Sequence, residues 1–280
     1  MNWRIIFDEV SDAYLNMARD EAILRSRIDN NVPDTIRFYG WEKPSISLGY
    51  FQTADREIEL ENCIKCNIPV VRRITGGRAV FHEREITYSI IVSEENPFFS
   101  GTIKDAFFSV SRCFLYGLKL LGITGEITQK PTFKGKPKNP LCFNSVSWYE
   151  IAVSGRKIIG SAQTKKKGVI LQQGSILLNF HPENMIRFFK FFEKSNEDMI
   201  NALNQNITGI EKVLGHTIDP FTVRECLIQG FKKYCDGGFS LGELTYKERK
   251  IESELYENKY NNSHWNILGN RKWRMNIYDN

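Results

Sequence analysis

No stretch of this 280-residue chain approaches the roughly 18 consecutive apolar residues that a membrane-crossing helix needs, so no membrane-spanning segment is expected. Surplus positive charge is small. Thirty-eight Lys and Arg against 33 Asp and Glu give a net charge of +5, and the aromatics do not interleave with a basic run, which argues against a nucleic-acid binder. Cysteine is scarce, with Cys63, Cys66, Cys113, Cys142, Cys226 and Cys235 the only six. In a chain of this length they do not read as a disulfide framework. Cys63 and Cys66 have zinc-like spacing, but no second pair matches them, and no metal site is expected. Both phosphate-cradling patterns, Gly-x-x-x-x-Gly-Lys-Ser/Thr and Gly-x-Gly-x-x-Gly between strand and helix, are missing. A signal peptide is not expected either, because Asp8 interrupts the N-terminal apolar residues; this points to the cytoplasm.

What remains is ordinary globular composition, 41% hydrophobic and 25% charged, enough for one domain with a small appendage. Helices are expected at Asp8–Ile28, Asp55–Cys66, Thr102–Leu121, Glu183–Glu193, Thr222–Tyr234 and, opened by the capping box of Thr245 and Glu248, to about Tyr260. Cys113 falls within the third of these and reads as a core thiol. Strands are expected at Thr35–Tyr39, Ser45–Leu48, Pro69–Arg73, Ala79–Phe81, Thr87–Val92, Trp148–Val153, Arg156–Ser161 and Val169–Leu178. A Lys- and Pro-rich loop is expected at 128–140. Strands come in groups with helices between the groups, which favours an α+β fold.

Two segments carry chemistry. Arg72-Arg73-Ile74-Thr75-Gly76-Gly77-Arg78-Ala79-Val80 joins two expected strands, and His82 follows it. Paired glycines permit positive φ and close ligand approach, and flanking arginines add charge-assisted donors. A tight hairpin turn explains the same residues, and both readings stay open. The second segment holds Cys142 and, beyond the turn at Ser154-Gly155, Lys157. A cysteine with an unperturbed pKa near ~8.5 is only slightly ionised at neutral pH, and a nearby ammonium favours the thiolate and an oxyanion alike. A buried small hydrophobe and an exposed turn lysine are the alternatives. The run Gly168–Leu178 suits either the lining of an acyl tunnel or plain sheet core. Arg72, Arg73, Arg78 and Arg84, with Lys165–Lys167, are candidates for a basic patch that steers an acidic protein partner.

In this order the segments resemble the lipoate/biotin protein ligase-like superfamily over nearly the whole chain. Arg37-Phe38-Tyr39-Gly40-Trp41 and Pro44 to Gln52 look like its N-terminal strands, Arg72 to His82 like its glycine motif and Gly155 to Gln163 like its lysine motif. Arg78 in place of a third glycine, Cys142-Phe143, Trp148-Tyr149-Glu150 and Gly160-Ser161-Ala162-Gln163-Thr164 resemble the octanoyltransferase branch (LipM type). Gln173 stands where that branch often has His. The resemblance implies a mixed β-sheet flanked by helices, residues 1–280 as a single acyltransferase domain, and a helical extension over about 245–280. It implies octanoyl transfer from octanoyl-acyl carrier protein to a lysine of a lipoyl domain, such as glycine-cleavage H protein, with no cofactor. Cys142 would be the nucleophile and Lys157 its partner. Arg72, Thr75, Gly76, Gly77, Arg78, Ala79, His82, Gly160, Ser161 and Ala162 would bind substrate, and a monomer is expected. The alternatives are an ATP-dependent lipoate–protein ligase, an amidotransferase between lipoyl domains, and a non-catalytic acyl-binding scaffold.

Overall fold

The structure, a computed structural model, describes residues 2–99, 101–128, 150–191 and 195–269. In chain order the elements are β1 (Asn2–Ser11), α1 (Ala13–Ile28), β2 (Asp34–Trp41), β3 (Ser45–Leu48), α2 (Ala54–Glu57), α3 (Leu60–Lys65), β4 (Val70–Arg72), β5 (Val80–His82) and β6 (Glu85–Ser93). Then follow α4 (Ile103–Leu120), β7 (Glu126–Ile127), β8 (Ile151–Val153), β9 (Arg156–Lys166), β10 (Val169–Leu177), α5 (Pro182–Met185), α6 (Asn196–Asn206), α7 (Ile210–Leu214), α8 (Pro220–Tyr234), β11 (Gly238–Leu241) and α9 (Tyr246–Leu255).

Eight strands form one mixed sheet in the order β11-β1-β2-β6-β10-β9-β8-β7, and β4-β3-β5 form a second, small sheet. The β1 strand is parallel to both β2 and β11, a pairing that needs a crossover, and α1 supplies it for β1 and β2. The remaining pairs of the large sheet are antiparallel. Two tight hairpins shape its far end. Ser154 and Gly155 (φ 50° and 73°) join β8 to β9, and Lys167 and Gly168 (φ 44° and 79°) join β9 to β10, the double positive-φ pattern that matches strand twist.

Alternation along β6 sets the layers. Ile86, Tyr88, Ile90 and Val92 face a core shared with Val110, Phe114 and Leu118 of α4 and Val223, Leu227 and Phe231 of α8. Ile91 faces the other way, into a core built with Met17, Ala18 and Ala22 of α1. A third core lies between the small sheet and the segment from Met185 to Ile207. Cys113 is fully buried in the first core, as expected of a core thiol. Cys63 is buried in the third, where desolvation pushes its thiol up to about 11.

The α+β class and the mixed sheet agree with expectation; several boundaries do not. The helix expected from Asp8 begins at Ala13, because Asp12 is its cap, accepting from the N–H groups of Tyr14 (2.8 Å) and Leu15 (3.0 Å). Residues before it form β1 instead. The helix expected at Asp55–Cys66 is broken at Ile58, which makes a bridge to Phe189. The one expected at Glu183–Glu193 is a single turn, α5, followed by a 3₁₀ turn. Helices α6 and α7 and the short strands β7 and β11 were not foreseen.

The capping box of Thr245 and Glu248 is present and opens α9, after which the chain continues in π-helical turns at Tyr256–Tyr260 and His264–Leu268. This extension docks on β1 and α1 through buried ion pairs. Arg4 donates to both oxygens of Glu248 (2.8 and 2.6 Å), Arg19 pairs with Glu252, and Lys259 donates to Glu21 at 2.6 Å. Burial alone would raise the Glu21 pKa, but the Lys259 ammonium, hydrogen bonds from Lys259 and Tyr260, and Arg25 hold it at about 2. Burial keeps Lys259 down at about 8 despite Glu21, so both partners are charged near neutrality and the carboxylate sets the acid limit. A depressed carboxylate contributes stability above its unfolded pKa and loses it as pH falls through the folded one. Glu21 is thus expected to supply roughly 3 kcal/mol that disappears between about pH 4.5 and pH 2. Urea unfolding of wild type and Glu21→Gln across that window should show the two stabilities converging as pH falls.

Candidate active site

A narrow cleft opens between the small sheet and the face of the large sheet that carries α1. Met17, Tyr39, Trp41 and Val80 give it apolar wall; Ser47, Arg73 and His82 come from the small-sheet side. Gly160, Ser161 and Ala162 of β9, with Gln173, Gly174 and Ser175 of β10 and Thr87 of β6, complete it. Gly174 is required where it stands: a Cβ there would lie 2.4 Å from the Tyr88 ring.

The glycine turn is folded around Arg73. That guanidinium donates to Ser47 O and Oγ (both 2.9 Å), to Gly76 O (2.8 Å) and to Arg78 O (2.6 Å), leaving the side chain 5% exposed. Gly77 takes φ +85°, and a Cβ there would fall 3.1 Å from an Arg73 guanidinium nitrogen and 3.4 Å from the Cβ of Ala162. Gly49 also has a spatial reason, since its own Cβ would stand 2.0 Å from Gly77 O. Gly76 has neither constraint.

Below the turn runs a buried polar chain. Thr75 Oγ1 donates to Gln173 Oε1 (2.8 Å), and Gln173 Nε2 donates to Asp20 Oδ2 (2.7 Å). Asp20 also accepts from Arg37, Tyr39 and Ser89. The Tyr39 hydroxyl is held well above its ordinary pKa by burial and by the Asp20 charge, so it stays a donor. On the other wall, His82 is fixed on three sides. Its Nδ1 lies 2.7 Å from Glu85 Oε1, its Nε2 2.7 Å from Ser47 Oγ, and Trp41 stacks on the ring at 3.8 Å. Glu85 accepts in addition from Thr87 at 2.5 Å and from Ser175.

The residues expected at a site are therefore divided. His82, Gly160, Ser161 and Ala162 line the cleft. Thr75 and Ala79 are fully buried. Gly76, Gly77 and Arg78 are not among the lining residues: Gly77 is exposed beside Ala162, and the half-buried Gly76 and Arg78 are bound through their carbonyls to Arg73. Arg72 faces away. Its fully buried guanidinium donates to the carbonyls of Gly49 (3.0 Å), Gln52 (2.6 Å), Trp265 (3.0 Å) and Asn266 (3.1 Å). Burial, then the Arg73 charge, push its pKa down to about 10. Arg72 clamps the C-terminal extension and does not reach the cleft. The expected basic patch is likewise dispersed, because Arg72 and Arg73 are buried, Arg84 pairs with Glu211 and Lys165 with Glu94.

Lys157 is not an exposed turn lysine. It is 1% exposed on β9, and its ammonium donates to Glu150 Oε1 at 2.5 Å, Glu150 being 4% exposed. Cys142 and the expected loop from 129 onward lie outside the described residues. The sequence reading passed over Trp41, Tyr39, Met17, Ser47 and Glu85 as site residues. One signal was available: Thr87, Ser89, Gln173 and Ser175 are polar residues that alternate onto a single face of β6 and β10.

Removing one partner of a buried pair strands a charge. Glu150→Ala is expected to cost roughly 3–5 kcal/mol in urea unfolding and Glu150→Gln clearly less, since the amide still accepts from Lys157. Gly77→Ala is expected to cost roughly 1–2 kcal/mol through its left-handed backbone, read as a fall in melting temperature that Gly76→Ala does not share.

Residues 12–232 match the family model of the lipoyl protein ligase A/B catalytic domain. Among curated proteins, the chain is 38% identical over 264 residues to "Octanoyltransferase LipM" of Carboxydothermus hydrogenoformans, covering 94% of this chain and 97% of that one. It is 38% identical over 271 residues to "Octanoyltransferase LipM" of Geobacillus kaustophilus, covering 95% and 98%. Among solved structures, an archaeal lipoylation system, a bi-partite lipoate protein ligase and its E2 lipoyl domain from Thermoplasma acidophilum, aligns with a TM-score of 0.78 at 23% identity, covering 95% of this chain and 96% of that one. The chain belongs to the lipoyl protein ligase A/B catalytic-domain family.

Proposed function

We propose that this chain transfers an octanoyl group from octanoyl-acyl carrier protein, through a thioester on Cys142, to a lysine of a lipoyl domain. Octanoyl transfer in lipoate biosynthesis follows from 38% identity to octanoyltransferases along nearly the whole chain. The observation that supports the reading is the lining of the cleft, where apolar Met17, Trp41 and Val80 stand with hydroxyl, glycine and guanidinium groups. That combination suits a short alkyl chain with a polar carbonyl at one end.

In the proposed reaction the Cys142 thiolate attacks the carbonyl carbon of the donor thioester. The bond to the carrier sulfur breaks, and the carrier leaves as its thiol with the proton that the Cys142 thiol gave up on ionising. The lysine ε-amine of the acceptor then attacks the acyl-enzyme carbonyl. An amide forms, the bond to Cys142 sulfur breaks, and the proton lost by the amine returns to the thiolate. Thioester aminolysis is downhill, so the sequence needs no nucleotide. Lys157 is proposed to favour the thiolate and stabilise the oxyanion, with Glu150 fixing its ammonium at 2.5 Å. The substrate-contact role is assigned to His82, Gly160, Ser161, Ala162 and the turn at Gly76, Gly77 and Arg78. Thr75 and Ala79 are assigned a supporting role. The donor, a lipoyl-domain acceptor such as glycine-cleavage H protein, a monomeric state and a cytoplasmic setting belong to the same reading. So does a single catalytic domain over 1–280, with 245–280 as its extension. No helix among the described residues is long and apolar enough to cross a membrane.

Intact-mass measurement after mixing with octanoyl-acyl carrier protein is expected to show an octanoyl adduct that hydroxylamine removes. Cys142→Ser should abolish that thioester, and Lys157→Ala should slow its formation roughly 10²–10³-fold. An unmodified wild-type mass in the presence of competent donor, or lipoate-dependent ATP–pyrophosphate exchange in its place, would overturn the reading.

A further inference from the structure

Ser47 of β3 and His82 of β5 both line the cleft, and a buried carboxylate stands behind them. Ser47 Oγ lies 2.7 Å from His82 Nε2, and His82 Nδ1 lies 2.7 Å from Glu85 Oε1. Counting donors places the hydrogens. Arg73 can only donate, so Ser47 Oγ accepts its 2.9 Å bond. Trp41 Nε1 can only donate, so Thr87 Oγ1 accepts it at 2.7 Å and directs its own hydroxyl hydrogen to Glu85. Ser175 donates to the other Glu85 oxygen. Glu85 thus collects hydrogens, and His82 Nδ1 supplies one more. The Ser47 hydroxyl hydrogen is then directed to His82 Nε2, which is left as an acceptor. Hydroxyl, imidazole and carboxylate stand in the order of a proton relay.

The same contacts also hold the imidazolium. With a proton on Nε2, His82 would donate to Ser47 Oγ, keep its bond to Glu85 and stay stacked at 3.8 Å on Trp41, whose ring face attracts cations. Glu85 on β6 favours that charge, and Arg73, bonded to the same Ser47 oxygen, opposes it. Ser47 on β3 and Trp41 on β2 are neutral. The chain neighbours Glu83 and Arg84 are bonded to Asn184 and Glu211.

We infer that His82, acting through the Ser47 hydroxyl, is the general base that takes the proton from the amine entering the cleft, an inference that rests on the function proposed above. A lysine amine has a pKa near ~10.4 and offers no electron pair to a carbonyl until it loses its extra proton. Among the described residues that line the cleft, the titratable ones are Tyr39, Arg73 and His82. Tyr39 directs its hydroxyl hydrogen to Asp20, and arginine stays charged. A histidine with an accepting Nε2 is what is left to take a proton near neutrality. In the step, the ammonium gives a proton to Ser47 Oγ while the Ser47 hydroxyl hydrogen passes to Nε2. The neutral amine then attacks the acyl-enzyme as described above, and the imidazolium returns its proton to water. Glu85 touches no reactant; it is a positioning residue that fixes the Nδ1–H tautomer.

The test starts from purified octanoyl-enzyme and measures its discharge by an unmodified lipoyl-domain protein and, separately, by hydroxylamine. Hydroxylamine is already neutral near neutral pH and needs no base. In His82→Gln, whose amide can still donate to Glu85, the ratio of the lysine rate to the hydroxylamine rate is expected to fall roughly 10²-fold near neutrality. The deficit should shrink as pH rises towards the lysine pKa near ~10.4, because more of the amine then arrives unprotonated. Ser47→Ala should show the same pattern at roughly tenfold, and it carries the test if His82→Gln is not acylated. A ratio within about threefold of wild type, or a deficit equal at every pH, would overturn the base and leave the transfer reaction standing. A wild-type enzyme that forms no octanoyl adduct would instead remove the proposed function.

Discussion

Two adjacent arginines at the end of a short strand hold this molecule's cleft in shape. Successive side chains on a strand point opposite ways, so Arg72 and Arg73 reach in opposite directions. Arg73 gathers the carbonyls of Ser47, Gly76 and Arg78 and gives the glycine turn its curvature. Arg72 gathers carbonyls from the β3–α2 corner and from the C-terminal extension. A guanidinium taken out of water is stable only with its donors satisfied. Each arginine therefore compels distant backbone to stay within hydrogen-bonding distance. The paired glycines make the turn possible, and the arginines make it a single conformation.

Beneath the cleft the polar groups are anchored in the same manner. Asp20 gathers Arg37, Tyr39, Ser89 and Gln173, and Glu85 gathers His82, Thr87 and Ser175. Networks whose members are mutually satisfied rigidify a core, whereas a broken one is costly. The consequence is a cleft wall whose hydroxyl and imidazole groups are held in fixed orientations. Gln173 belongs to this scaffold: it joins the turn, through Thr75, to α1, through Asp20.

Much of this was legible in the residues. The period of Thr102–Leu121, the capping box at Thr245 and Glu248, and the grouping of strands gave the α+β class, because local spacing determines each. The glycine and lysine motifs located His82 and Gly160–Ala162. The sequence did not reveal which arginine faces the cleft, since a one-residue shift of register exchanges Arg72 with Arg73. Nor did it reveal Trp41, Met17 or Glu85, whose roles depend on contacts between distant segments. The strand Asn2–Ser11 was hidden by its acidic residues, which resemble the first turn of a helix, although Ser11 and Asp12 were both readable as caps and Asp12 is the one used. The break at Ile58 arises from pairing with Phe189, which no local pattern announces.

The side chains of Trp265 and Asn266 bond the backbone of Arg72 from both sides, at sequence separations of 193 and 194. They take the place of a neighbouring strand on the outer edge of the small sheet. A ribosome must therefore release position 266 before β4 gains this edge. Until then a growing chain carries the glycine motif beside an untied strand, waiting on a contact of very high sequence separation.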